Sequence, residues 1–312
     1  MKFDVSFVST CPPDQIVKFS LIAEKMGFNA VWMAHDMLWD NAWVLCGAIA
    51  NSTSKILVGP GIINPFSCSL PEIAMAATSL DNLSNGRCVL GIGPGAKGML
   101  HDAGIDQNNV ISRLNESVQY LKNSLNPTSN IMNIDVTHEI PIYIGCQSPK
   151  MLEHVGRWGV GTLLLLSPPK YASKALGFIK KGAKLSNSSL QHDNLVASVF
   201  ISLSRKNEEA EKRFGDFIIS VLPHLSSYQL IESNLSDSEI ISIIDVYNQK
   251  GWSSLPSKIF ELGAIGVESC IKTFESLTKV GFNRFKFGSP LGPDIEESLS
   301  IFHDEILPVF AD

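Results

Sequence analysis

Ile56-Leu57-Val58-Gly59-Pro60-Gly61-Ile62-Ile63-Asn64-Pro65 and the later stretch Leu83-Ser84-Asn85-Gly86-Arg87-Cys88-Val89-Leu90-Gly91-Ile92-Gly93-Pro94-Gly95 decide how this chain reads. Each is an apolar run that ends in glycines. A continuous apolar run is the pattern of a parallel strand buried on both faces. Glycine at the C-terminal end of such a strand lets the backbone approach a ligand with no side chain in the way. The plainer alternative is that these glycines only end strands. Two such ends, joined by a helical segment, make a cofactor crevice the leading expectation.

The same rhythm extends in both directions. Lys2 to Val8 reads as a first strand. Asp14 is the expected N-cap of a helix carrying Ile16, Phe19, Ile22, Ala23 and Met26 at helical spacing, and Gly27 stops it. Ala30 to Met33 is a second strand, Asn41 to Asn51 a helix, and Lys55 to Ile62 the third strand. Ser69-Leu70-Pro71 opens the next helix, Arg87 to Ile92 is the fourth strand, and Ile111 to Ser124 is helical. Strands at Pro141–Gly145, Gly161–Leu166 and Leu195–Leu203 alternate with helices at Pro149–Trp158, Tyr171–Leu185 and Glu208–Val221. Arg284 to Phe287 is a short last strand, and Pro293 to Ile306 a final helix. Eight strand–helix units are the arithmetic of an α/β (β/α)8 barrel in a single domain. A doubly wound open sheet is the alternative, but G-x-G-x-x-G is missing after the first strand. One stretch breaks the rhythm: about 224–262 reads as a helical insertion after the seventh strand, over the mouth or as a packing appendage. A smaller irregular stretch runs from Gly98 to Val110.

Composition narrows the function. The chain has 312 residues, 45% hydrophobic and 18% charged, which supports a large core and argues against disorder. A net charge of −6 without a Lys/Arg stripe argues against a nucleic-acid partner. No apolar run is long enough to span a membrane, and MKFDVSF has no signal-peptide core. The six cysteines form no C-x-x-C pair and the seven histidines lack ligand spacing, so reduced thiols in a cytoplasmic protein without a metal are expected.

Barrel chemistry sits at the C-terminal strand ends. That rule collects Ser6, Ser9 and Thr10, then Ala34-His35-Asp36 with Trp39, then Gly61 to Pro65. It continues with Gly93-Pro94-Gly95-Ala96-Lys97, Gly145-Cys146-Gln147-Ser148-Pro149 and Ser167-Pro168-Pro169. The helix after Gln147-Ser148-Pro149 would present free N–H groups to an anion. An ordinary Ser cap with proline in the first turn fits the same residues. His35 suits proton transfer near neutrality, tuned by Asp36 and Asp40. Trp39 and Trp43 could wall an aromatic ligand, and Lys97 could neutralise an anionic substrate. No nucleophilic triad or pair of rim carboxylates is visible. A glycine-lined mouth with sparse charge fits a planar cofactor that brings its own chemistry.

These motifs resemble the bacterial-luciferase-like superfamily over nearly the whole chain. The reductase-like branch that uses the deazaflavin coenzyme F420, the methylenetetrahydromethanopterin reductases and their relatives, is the nearest. The resemblance rests on Val31-Trp32-Met33-Ala34-His35-Asp36, Val58 to Pro65, Leu80 to Arg87, Gly91 to Gly95, Pro141 to Gly145 with Gln147 to Leu152, and Gly288-Ser289-Pro290-Leu291-Gly292-Pro293-Asp294. It implies a barrel with an insertion after the seventh strand, coenzyme F420 or less often FMN, and a homodimer or homotetramer acting on a small molecule. It also implies a non-prolyl cis peptide at Gly61–Ile62 behind the deazaflavin ring. Asn64 would sit by the ring, and Gly95 and Ala96 would flank its pyrimidine side or ribityl chain. Cys146, Gln147, Ser148 and Pro149 would hold the phosphate, with Ser167 joining the cofactor set. Ser6, Trp39 and Lys97 would line the substrate pocket, and His35 with Asp36 would serve as the base. Three departures stand out: Ser6 and Ala96 replace carboxylates of the methanopterin reductases, and His35-Asp36 reverses their Asp-His order.

Overall fold

Parallel strands in a ring carry this fold, and their sequences explain why. The computed structural model describes all residues except 9–10, 37–38, 130, 166–167, 189–191, 226–228, 232–234 and 312. The strands are β1 (Lys2–Phe7), β2 (Ala30–Met33), β3 (Leu57–Pro60), β4 (Leu90–Ile92), β5 (Ile142–Gly145), β6 (Gly161–Leu164), β7 (Leu195–Ser202), β8 (Ala264–Ile265) and β9 (Arg284–Leu291). The sheet runs β3-β2-β1-β9-β7-β6-β5-β4, with the two-residue β8 attached to β7. Parallel bridges Val58–Cys88 and Ile63–Ile92 join β3 to β4. The result is an eight-stranded (β/α)8 barrel in which β9 is the eighth barrel strand, as expected.

Helices α1 (Pro13–Lys25), α2 (Ala42–Ser52), α3 (Leu70–Ser84), α4 (Lys97–Asp102), α5 (Val110–Ser124), α6 (Pro149–Trp158) and α7 (Pro169–Ser186) follow the first six strands. Their ends are written in the sequence. Ser69 caps α3 through the Glu72 N–H, and Asn85 ends it in the left-handed region at φ 58°. Ser148 caps α6 with Pro149 behind it, and Gly159 closes it at φ 61°. The expected cap at Asp14 is corrected: Pro12 is the cap residue of α1, and Asp14 lies inside its first turn, where a carboxylate favours the helix dipole.

Period-two alternation sorts side chains between lumen and outer core. On β9, Phe285 and Phe287 point outward into an aromatic cluster with Phe3, Phe28 and Phe302, and the Phe287–Phe302 centroids are 4.8 Å apart. Arg284 and Lys286 take the other face. Ala30, Trp32, Val89, Tyr143, Leu163 and Val196 form the apolar part of the lumen.

After β7 come α8 (Asn207–Val221), α9 (Asp237–Lys250), α10 (Ser257–Phe260) and α11 (Val267–Val280), and α12 (Ile295–Ile301) follows β9. Phe214 and Ile218 of α8 form a second apolar cluster with Ile240, Ile243, Leu255, Ile259 and Phe200 of β7. This cluster is the helical insertion. One assignment changes with it. The sequence reading takes 208–221 as the helix of the seventh barrel unit, yet it is α11, with Cys270, Phe274 and Leu277 buried, that packs beside α7 on the outer wall.

Candidate active site at the barrel mouth

A salt-bridged layer plugs the N-terminal end of the lumen. Asp4 of β1 is fully buried, and its carboxylate accepts from Asn29 Nδ2 at 3.1 Å, Trp32 Nε1 at 2.8 Å and Arg284 Nε at 2.9 Å. Arg284 Nη1 donates to the Tyr143 hydroxyl at 2.7 Å, which donates to Asn194 Oδ1 at 3.1 Å. The Asp4 and Tyr143 charges raise the Arg284 pKa against the burial that lowers it most. Trp32 and Tyr143 meet edge to face, 5.1 Å between centroids. The sequence reading assigned none of these side chains a role. Their signal was charge at alternate positions of an apolar strand, as in Arg284-Phe285-Lys286-Phe287.

Higher in the barrel, the Gly61–Ile62 peptide is cis, at the bond the resemblance pointed to; Ser289–Pro290 is also cis. The Ile62 side chain lies across the ends of β4 and β5. A Cβ on Gly145 would stand 3.0 Å from Ile62 Cγ2, and one on Gly93 would stand 3.2 Å from Ile62 Cδ1. A Cβ on Gly61 would stand 3.1 Å from the Trp32 ring. These glycines are therefore closely packed inside the protein, and a Cβ at any of them would press on its neighbour. Ile62 and Trp32 are the side chains that approach them.

Asn64 is 4% exposed, and its amide donates to the Pro94 carbonyl at 2.7 Å and accepts from Phe66 N–H at 2.8 Å. Gln107 donates to the same carbonyl. Asn64 thus ties the loop after β3 to the glycine turn after β4. Beyond that tie, Gly95 (φ 72°), Ala96 and Lys97 are exposed on the rim, and Lys97 begins α4, which runs into the stretch from Gly98 to Val110 expected to be irregular.

At the end of β5, Cys146 is buried, and burial pushes its thiol pKa up to about 12, so only its backbone can serve a ligand. The exposed Ser148 hydroxyl accepts from Met151 N–H at 3.4 Å, and the Gln147 carbonyl accepts from the Tyr171 hydroxyl at 2.9 Å. Beside this helix start lies a cavity of about 200 Å³ lined by Gln147, Pro149, Leu152, Tyr171, Lys174, Ala175 and Phe178. The larger depression, about 340 Å³, is off the barrel axis between Cys11, Lys18 and Glu296.

His35 stands at the end of β2, partly buried. Its Nδ1 accepts the Ala42 N–H at 3.2 Å. A backbone N–H only donates, so Nδ1 is unprotonated and the neutral ring carries its proton on Nε2. Burial lowers the His35 pKa, and Asp36 opposes the shift. The Asp36 surface is exposed, yet surrounding protein desolvates its carboxyl enough to raise its pKa, against the pull of His35. Trp39 is 55% exposed on the same loop, and Asn41 caps α2 through Trp43 N–H. Ser6 is buried at the upper end of β1.

The expected residues thus stand on the ends of five strands, β1 to β5, around one mouth. Ser167, with Ser9 and Thr10, lies outside the described residues. The insertion reaches the same rim: buried Gln229 donates from Nε2 to the Leu165 carbonyl just past β6 at 3.0 Å. Among the described residues no cluster of His, Cys, Asp and Glu could hold a metal, and no helix is long and apolar enough to cross a membrane.

A parallel barrel with a small, polar, glycine-rich rim and a helix start at that rim places the chain in the class of (β/α)8 barrels. Residues 2–259 match the model of the luciferase-like monooxygenase family, and the chain belongs to that family. It is 26% identical to a 5,10-methylenetetrahydromethanopterin reductase of Archaeoglobus fulgidus, over 99% of both chains. An F420-dependent glucose-6-phosphate dehydrogenase of Amycolatopsis mediterranei is 22% identical over 95% of this chain and 94% of the relative. The solved coenzyme F420-dependent tetrahydromethanopterin reductase of Methanopyrus kandleri superposes with a TM-score of 0.88 at 22% identity, covering 99% of each chain.

Proposed function

We propose that this protein is an F420-dependent oxidoreductase that exchanges a hydride with a small organic substrate at the barrel mouth. Relatives over the full length are named as F420-dependent enzymes or as methylenetetrahydromethanopterin reductases, which supports the cofactor class. The chain's own residues fit such a group. The α6 start is ready for an anion, Ile62 lies against Gly93 and Gly145 at the ends of β4 and β5, and Gly95 and Ala96 are small and exposed on the rim. The phosphate would be held by backbone at Cys146 and Gln147 with the Ser148 hydroxyl and Pro149, and the ring would rest on Ile62.

Bound F420 would supply a two-electron centre at C5 that exchanges hydride with a carbon stacked on its face. The protein orients both partners and excludes water. His35 is the observation that carries the reading of the reaction. With Nδ1 held by Ala42 N–H, its movable proton is on Nε2, so a neutral His35 donates. It donates a hydrogen bond to the substrate atom on which negative charge builds as hydride arrives, which is the reducing direction. The proton that completes the product comes from solvent, since a neutral ring that gave up Nε2–H would be left as imidazolate. Base action at Nε2 in the reverse direction would need the other tautomer, with Nδ1 protonated and the bond from Ala42 N–H given up. Asp36 tunes His35. Trp39 and Lys97 flank the substrate, and the replacement of rim carboxylates by Ser6 and Ala96 argues for a substrate other than a methanopterin.

The test is a fluorescence titration of the purified protein with F420 and, separately, FMN. Saturable binding of F420 alone is the expected result. A preference for FMN would transfer the protein to the monooxygenase reading, and binding of neither would replace the enzyme by a barrel without its chemistry.

A further inference from the structure

The lumen above the Asp4–Arg284 layer holds more hydrogen-bond donors than acceptors. Lys286 of β9 is 7% exposed and points into the lumen, two residues above Arg284 on the same face of the strand. Its Nζ makes no hydrogen bond or ion pair with any described residue. It stands in register with Asp4 on one side and with Ser198 of β7 on the other. Among the described residues Asp4 is the carboxylate paired in register with Lys286, and its two oxygens are already taken by Asn29, Trp32 and Arg284. Ser198 is 1% exposed and its hydroxyl has no partner; Arg284 Nη2 has none either. Ser6, one step up β1 from Asp4, is 7% exposed and also unpaired.

The charges do not cancel. Arg284 neutralises Asp4, and the Lys286 ammonium is left over. A buried, uncompensated cation and several unmatched donors are costly unless an acceptor meets them. Trp32, Tyr143 and the Asp4–Arg284 pair fill the lumen beside Lys286. The unmatched donors lie on three adjacent strands, β1, β9 and β7.

We propose that Lys286, flanked by Ser198 and Ser6, is the anion-binding floor of the substrate pocket, and that the substrate is a small organic acid whose carboxylate sits on Lys286. The assignment rests on the oxidoreductase reading for the word substrate, and on the lumen alone for the anion. It gives the pocket a new charge preference: where carboxylates would favour a cationic or neutral partner, this chain offers serine and lysine. Lys97 on the exposed rim is then not needed for charge neutralisation.

Acetate is the probe, with acetamide and chloride as controls. The side-chain ammonium signal of Lys286 is followed by heteronuclear NMR in the wild-type protein and assigned by its loss in Lys286→Met. Acetate is expected to move that signal saturably while acetamide and chloride leave it in place. In Lys286→Met, the acetate affinity read from thermal stabilisation is expected to fall at least tenfold. An unmoved signal, an equal response to acetamide, or unchanged acetate affinity in Lys286→Met would overturn the proposal in favour of a water-filled lumen. Should Lys286→Met not fold, Lys286→Arg supplies the assignment and the wild-type titration still decides. An F420 titration on the same sample separates the two readings: acetate without F420 binding sinks the oxidoreductase, and F420 binding with an unmoved Lys286 sinks the anion floor.

Discussion

Lys286 titrates where few lysines do. Burial lowers its pKa from 10.5 to about 8, with Asp4 pulling it back up. The unfolded chain therefore binds more protons than the folded one between pH 8 and 10.5, and the Lys286 contribution to stability rises with pH across that window. Below pH 8 the buried charge costs roughly 3 kcal/mol by the pKa difference. Lys286→Met is accordingly expected to be more stable than wild type at pH 7 by up to about that amount, with the advantage fading towards pH 10.5. Urea unfolding of both proteins at the two pH values checks the sign; a gap that widened with pH would refute it. His35 makes the companion case. His35→Ala is expected to lower turnover on any substrate found by about 100-fold or more, with F420 affinity within a factor of about three. An equal loss of affinity would make His35 a cofactor ligand.

At the scale of elements, α6 offers a clean substitution. Aspartate caps helices as well as serine does, so Ser148→Asp should fold normally while setting a negative charge where a phosphate would lie. F420 binding is expected to weaken at least tenfold, and unchanged binding would move the phosphate elsewhere. Most of these elements were legible in the sequence. Strand ends marked by Gly61, Gly93 and Gly145, and caps at Ser69, Ser148 and Gly159, are local signals, and local signals survive folding. The misreadings are tertiary. Helix 267–280 has a plain apolar face, but nothing in it says that it, rather than 207–221, packs beside α7. The glycines announced close approach correctly, yet could not say that Ile62 and Trp32 would be the approaching groups. Lys286 stands out in the sequence as a charge in an apolar strand, but its lack of a partner is known only from its neighbours in register. The His35 tautomer depends on one backbone N–H in the following helix.

The whole molecule carries its exposed apolar surface unevenly. Val44 is 71% exposed on α2, and Met75 and Leu83 are 57% and 55% exposed on the adjacent α3. Side chains of this size left in water on neighbouring helices fit an interface between copies of the chain. Light scattering after gel filtration is expected to give a dimer or tetramer, and Val44→Lys with Met75→Lys a monomer that keeps its fold. A monomeric wild type would leave that face without this role.

The strand order has a consequence for how the chain is made. β9, near the end of the sequence, lies between β1 and β7, and its Arg284 is the partner of Asp4 near the beginning. A nascent chain that has not yet delivered Arg284 to Leu291 therefore leaves the ribosome with two open strand edges and a lone carboxylate in an apolar lumen. Open edges invite pairing with other chains. Quality control would have to hold this protein until residues 284–291 are made, and a premature stop before residue 284 is expected to yield an aggregating fragment rather than a smaller, working barrel.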